Sequence, residues 1–151
     1  MFRSTQRVEP ARPTVLLGGL DVGDRMLLRH LLERAGYAVT PSATVEELVE
    51  QLERVGQAAP AVAVFGACPG EGELPDAADA DAELANSARR LRAVTQLPLV
   101  ALAYAPSAFL QAVLQRARVA LLVRPLRFEQ LQGCLDSIVH DPAPGAWQQR
   151  H

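Results

Sequence analysis

Five short apolar runs punctuate this chain, and their spacing restricts the fold more than any other feature. They are Thr14–Leu17, Tyr37–Thr40, Ala61–Phe65, Pro98–Ala103 and Val119–Val123. Gly18-Gly19, Pro41, Gly66 and Arg124-Pro125 close four of them. A run of four to six apolar residues reads as a strand buried on both faces. A stretch with helical spacing follows each run. Strands alternating with helices imply a parallel sheet covered on both sides. Right-handed crossovers leave few ways to connect it. The expected fold is α/β: a flavodoxin-like (βα)5 three-layer sandwich whose five-stranded parallel sheet runs in the order 2-1-3-4-5.

Local signals fill in the helices. Arg25 to Ala35 places Leu28, Leu31, Leu32 and Ala35 on one face, with Asp24 as the expected N-cap and Gly36 just past the C-terminus. Thr44 and Glu47 form a capping box before Val45, Leu48, Val49 and Leu52, and Gly56 ends that helix. Glu71 to Ala82 is rich in acidic residues and alanine and reads as a long polar connection. The helix Glu83 to Val94 follows, with Leu84, Ala88, Leu91 and Val94 inward. Ser107 caps a helix whose candidates for burial are Ala108, Leu110 or Gln111, Val113 and Leu114. Phe128, Leu131, Leu135, Ile138 and Val139 give the last helix its inward face. Residues 1–13 read as a flexible lead-in, 14–140 as the domain, and 141–151 as a tail or linker.

A length of 151 residues suits one domain with a sizeable core. Apolar residues make up 49% of the chain, so it is not a disordered composition. A net charge of −2 gives no reason to expect nucleic acid or an anionic membrane as partner. Cys68 and Cys134 are too few and too far apart for a disulfide framework or a zinc motif. No run is long enough for a membrane helix, and Met1 to Ser4 do not begin a signal peptide. The expected location is the cytoplasm, and no cofactor is expected.

Three stretches, in this order and spacing, carry a resemblance: Arg25 to Tyr37, Leu97-Pro98-Leu99-Val100, and Leu121 to Leu126. Over roughly Thr14 to Val139 the chain resembles the receiver domain of bacterial two-component response regulators. In that family an aspartate at the end of the third strand takes a phosphoryl group. An acidic pair after the first strand holds Mg²⁺, a hydroxyl residue follows the fourth strand and a lysine follows the fifth. Mg²⁺ needs such hard oxygen ligands. Carried over, the acidic pair falls on Gly19 and Leu20, the acceptor on Gly66, the hydroxyl on Ala103 and the lysine on Arg124. Arg124 keeps the charge and changes its geometry. The aromatic of the fifth strand falls on Leu121, and only Asp21 stays near the metal corner. The resemblance therefore implies a pseudo-receiver without a phosphorylation site, metal or catalytic residue.

Two readings of the corner stay open. In one, Gly18, Gly19, Gly23 and Gly66 leave a hollow whose amides, with Arg124, bind a small anion. In the other, Arg124 pairs with Asp21 or Asp24 and neighbours fill the hollow. The acids Glu71, Glu73, Asp76, Asp79 and Asp81 lack calcium-loop spacing and read as a solvated loop or an acidic docking segment. Cys68 lies near the corner, where only Arg124 offers to lower its pKa. His30 and His140 do not suggest a metal pair. In receivers the face made by the fourth helix, fifth strand and fifth helix makes dimers or docks an output domain. Phe109, Leu121 and Phe128 are the interface candidates there, against the alternative that both phenylalanines cover the sheet.

The expected function is non-enzymatic: a signalling module in a bacterial regulatory system that acts through a protein partner. It would be the regulatory domain of a transcription regulator or a free-standing adaptor, with homodimerisation through that same face. The alternative is a domain that senses a small anionic, nucleotide-like ligand.

Overall fold

Strand residues here alternate between two helical layers, and each layer has its own core. The structure, a computed structural model, describes residues 13–55, 62–67, 77–124 and 127–140. Its strands are Thr14–Gly18 (β1), Ala38–Pro41 (β2), Val62–Phe65 (β3), Leu99–Ala103 (β4) and Val119–Val123 (β5). Between and after them run Val22–Arg34 (α1), Val45–Val55 (α2), Ala77–Val94 (α3), Ala108–Arg116 (α4) and Phe128–His140 (α5). All pairings are parallel, in the order β2-β1-β3-β4-β5. The expected fold class and strand order both hold.

Successive strand side chains point to opposite faces. Leu16, Ala63, Phe65, Leu99 and Ala101 join the core under α2, α3 and α4. Val15, Leu17, Val62, Val64, Val100 and Leu102 join the core under α1 and α5. Phe65, Leu17 and Leu99 are fully buried, and burial of each such side chain contributes about 1.5–3 kcal/mol. The β1–β3 register sets Leu17 beside Val64 and Gly18 beside Phe65. Gly19 and Gly66 are thus the first residues past two adjacent strands.

Several element boundaries depart from the sequence reading. Asp21, not Asp24, caps α1: its backbone is extended and its side chain accepts the Asp24 amide at 2.8 Å. Asp24 becomes a first-turn residue with its carboxylate free for another partner. β2 starts at Ala38, because Tyr37 turns inward and its hydroxyl donates to the Asp136 carboxylate of α5. α3 starts at Ala77 rather than Glu83, so Asp79 and Asp81 are helical and not in a loop. Alanine favours the helix, and an acid in the first turn suits its dipole. In α4 the buried residues are Leu110, Val113 and Leu114, while Ala108 and Gln111 are exposed.

The capping box of α2 forms at the expected Thr44 and Glu47, with its return bond to the residue before the cap. Thr44 Oγ1 accepts the Glu47 amide at 3.1 Å, and Glu47 reaches back to the amide of Ala43 at 2.9 Å. Val45, Leu48 and Leu52 are buried as expected. Residues 1–12, Gly56, Ala61, Cys68, 71–76 and 141–151 lie outside the described residues.

Arg92 joins the far ends of α3 and α4. Its Nε donates to the Ala117 carbonyl at 2.8 Å and its Nη2 to the Arg118 carbonyl at 3.1 Å. Its Nη1 donates to the carbonyls of Thr95 and Leu97 at 3.0 and 2.9 Å. Arg118 follows α4 in the left-handed region, with φ 59°. A single guanidinium therefore satisfies carbonyls that the helix ends leave without partners. Among the described residues, no helix is long and apolar enough to cross a membrane.

Candidate functional site

The carboxyl ends of β1 and β3 meet in a corner built from backbone. The Gly66 amide donates to the Gly18 carbonyl at 3.0 Å. A Cβ on Gly66 would lie 2.9 Å from the Gly19 carbonyl oxygen and 2.9 Å from Leu20 Cδ2. A Cβ on Gly19 would lie 2.5 Å from the Gly66 carbonyl oxygen, and Gly19 has φ +69°. Each glycine's carbonyl occupies the space that the other's side chain would need. That corner holds no hollow between the two glycines.

A cavity of about 260 Å³ opens instead toward β4 and the start of α3. Leu84 and Leu102 supply its apolar floor, and Asp21, Asp24, Asp81, Tyr104 and Arg124 supply its polar rim. Gly19, Ala67 and Ala103 also border it. Among the described residues, Gly18 and Gly66 do not. Gly18 sits under Leu48, and Gly23 lies in the first turn of α1. The structure thus brings Gly19 and Arg124 to the cavity and leaves Gly18, Gly23 and Gly66 out of it.

Arg124 is already engaged. Its Nη1 donates to Asp24 Oδ2 at 2.5 Å, and its guanidinium lies over the Tyr104 ring, 5.1 Å from the centroid. Its amide donates to the Ala103 carbonyl at 2.7 Å, which fixes the chain where β5 ends. Asp21 caps α1, and Asp81 accepts the Ser107 amide at 2.8 Å. Of the two expectations for Arg124, pairing with Asp24 is the one observed. Among the described residues, three carboxylates and one guanidinium line the rim, a formal charge of −2 (−3 plus +1).

Past the cavity, Tyr104, Phe109 and Val123 are 63%, 57% and 47% exposed. Phe128 and Leu121 are half-buried and pack on the two cores. The covering role therefore falls to Phe128, while Phe109 stands free at the surface. Leu121 faces the α4 side of the sheet. Tyr104 and Val123 are the residues here that the sequence reading does not select; Asp24 is one of its two candidate partners for Arg124, and Asp81, expected in a solvated acidic loop, reaches the cavity from α3. For Tyr104 a signal existed: it is the first residue past the fourth apolar run.

The remaining candidates separate from the site. Cys134 is a free thiol in α5, and burial pushes its pKa up to about 11, which keeps it unreactive. His30 is exposed on α1. The side chains of Cys68 and His140 lie outside the described residues. Among the described residues, no group of three His, Cys, Asp or Glu side chains is placed to hold a metal.

No protein-family profile matches the sequence, and no curated protein matches it. Solved structures do. A two-component response regulator from Clostridium difficile superposes with a TM-score of 0.68 at 16% identity, covering 87% of this chain and 99% of its own. A response regulator receiver protein from Sinorhizobium medicae gives 0.65 at 20% identity, covering 86% and 96%. The chemotaxis protein CheY4 of Vibrio cholerae gives 0.60 at 18% identity, covering 85% and 99%. This chain has the response-regulator receiver fold. At these identities the likeness establishes architecture, so the receiver chemistry has to be judged from the residues of the corner.

Proposed function

We propose that this receiver-fold chain is a regulatory module of a bacterial signalling system that acts through a protein partner without aspartyl phosphorylation. The observation that carries this reading is the closed corner at Gly66. In the superposition of roles suggested by the receiver resemblance, that residue stands where the acceptor aspartate would be. It has no carboxylate, and the Gly19 carbonyl leaves no room for one. The rest of the machinery is altered in the same direction. Ala103 has no hydroxyl, Gly19 and Leu20 have no carboxylate, and the chain contains no lysine anywhere. Arg124 is held by Asp24, so the cation that the described residues bring to the corner is paired before any phosphoryl group arrives.

Such a module communicates by shape. Tyr104, Phe109 and Val123 supply exposed apolar area near the end of β5, which suits an anchor for another protein. A role as the regulatory domain of a transcription regulator, or as a separate adaptor, fits that surface equally.

Incubation with acetyl phosphate and Mg²⁺ tests the reading. The expected outcome is an unchanged intact mass and an unchanged amide spectrum. A stable phosphoryl adduct, on Asp21 or on another carboxylate of the cavity rim, would overturn it.

The cavity beside Arg124 favours a second reading, a small-molecule sensor. Its acidic rim disfavours the nucleotide-like anion that the sequence alone suggested. A thermal-shift panel of anions and amines distinguishes the two: stabilisation by an anion would restore the anionic form of the idea.

A further inference from the structure

Past Glu83 the charge along α3 and α4 turns wholly basic. From Leu84 through Phe128 the chain carries Arg89, Arg90, Arg92, Arg116, Arg118, Arg124 and Arg127, and no aspartate or glutamate. A groove of about 410 Å³ runs between α3 and α4, lined by Arg89, Arg92, Ala93, Val113, Arg116 and Ala117. Arg92 spends its donors on the four carbonyls described above. Arg89 and Arg116 are exposed, rise from facing helices, and make no ion pair among the described residues. The floor between them is two alanines and the largely buried Val113, so another helix can approach closely.

The complementary surface lies on the same layer. α2 carries Glu46, Glu47, Glu50 and Glu53, all exposed, against a single exposed Arg54 in its last turn. Glu46, Glu50 and Glu53 follow the i, i+4, i+7 spacing of one helical face. α2 is the neighbour of α3, and Arg90 bridges the two through Glu46 at 3.1 Å. Packed helices sit about 8–10 Å apart. An acidic stripe and a basic groove therefore lie side by side, displaced by between one and two helix spacings.

We propose that this layer is a self-association surface: the Glu50–Glu53 stripe of one molecule docks in the Arg89–Arg116 groove of a second copy, and the reverse contact forms at the same time. A two-fold axis near α3 generates both contacts at once, as an isologous interface requires. The surface is distinct from the α4–β5–α5 face expected to pair from the sequence reading. It leaves Tyr104 and Val123 open to a different protein, so it stands or falls independently of the proposed function.

The test is sedimentation equilibrium of the whole chain and two double variants, with circular dichroism to check that each is folded. The wild type is expected to be a dimer at low salt and to shift toward monomer near 1 M NaCl, where the screening length falls to about 3 Å. Arg89→Glu/Arg116→Glu and Glu50→Arg/Glu53→Arg are each expected to weaken self-association about tenfold or more. Mixed in equal amounts, the two variants are expected to form a heterodimer, because each then meets opposite charge at both contacts. A monomeric wild type, a dimer insensitive to both reversals, or reversals that fail to complement would overturn the proposal. Binding of a glutamate-rich peptide to a monomeric wild type would also overturn it, and would assign the groove to an acidic partner.

Discussion

Two corners at the same edge of the sheet have opposite characters. Where β1 and β3 end, the chain closes on itself: Gly19 and Gly66 fill each other's side-chain space and Leu20 seals the contact. Where β4 and β5 end, the chain stays open around a cavity, with Arg124 at its rim bound to Asp24 and lying over Tyr104. In an open α/β sheet the carboxyl ends of the strands are the usual place for ligands and chemistry. Here the corner that would need a reactive side chain has none, and the neighbouring corner keeps charge, an aromatic ring and volume. Under the proposed function, the receiver shape and the phosphorylation trigger are separable, because different residues hold them.

Substitution separates the corners. Gly19→Ala is expected to have the largest effect. It adds a methyl 2.5 Å from a carbonyl oxygen at φ +69°. Left-handed strain of about 1–2 kcal/mol and overpacking of about 1–3 kcal/mol predict a combined loss of about 2–5 kcal/mol in a urea titration. A change below 1 kcal/mol would mean that the corner is softer than its contacts imply. Gly66→Ala comes next, at about 1–3 kcal/mol, because its backbone is unstrained and only the Gly19 carbonyl and Leu20 must move. Gly66→Asp is expected to lose at least as much and to remain unmodified by acetyl phosphate, by intact mass. Phosphorylation of that variant would show that one carboxylate suffices to restore the trigger.

The open corner should respond less. Arg124→Gln breaks the pair with Asp24 and the contact with Tyr104, in a site that is partly wet. A loss of about 1–2 kcal/mol is expected by thermal or chemical denaturation. Phe109→Ser is expected to leave stability within about 0.5 kcal/mol, because the ring is 57% exposed. If that variant unfolds easily, Phe109 belongs to the core and the anchor role is lost.

The strands and their order were legible because five apolar runs are bounded by glycine or proline and separated by helical spacing. The buried faces of α2 and α5 followed from periodicity for the same reason. Boundaries were harder. Asp21 and Asp24 are both good caps, and nothing local decides between them; the later pairing of Asp24 with Arg124, 100 residues away in sequence, comes only with the fold. The acidic segment before Glu83 reads as loop by charge, yet its alanines extend α3 by more than a turn. A sequence shows that Gly66 lacks a side chain; it cannot show whether the space beside it is empty or occupied by another backbone. Tyr104 is marked in the sequence by its position just past the fourth apolar run alone, because an isolated aromatic after a strand has no periodic signal.

The Arg92 clamp has a consequence for local opening. Its four hydrogen bonds tie the last turn of α3, the chain leading into β4 and the end of α4 to one guanidinium. These segments are then expected to exchange their amide protons with solvent as one cooperative block, not as separately fraying helix ends. Any displacement of α4 that reaches Arg118 must carry the end of α3 with it, so the two helices respond as one lever arm.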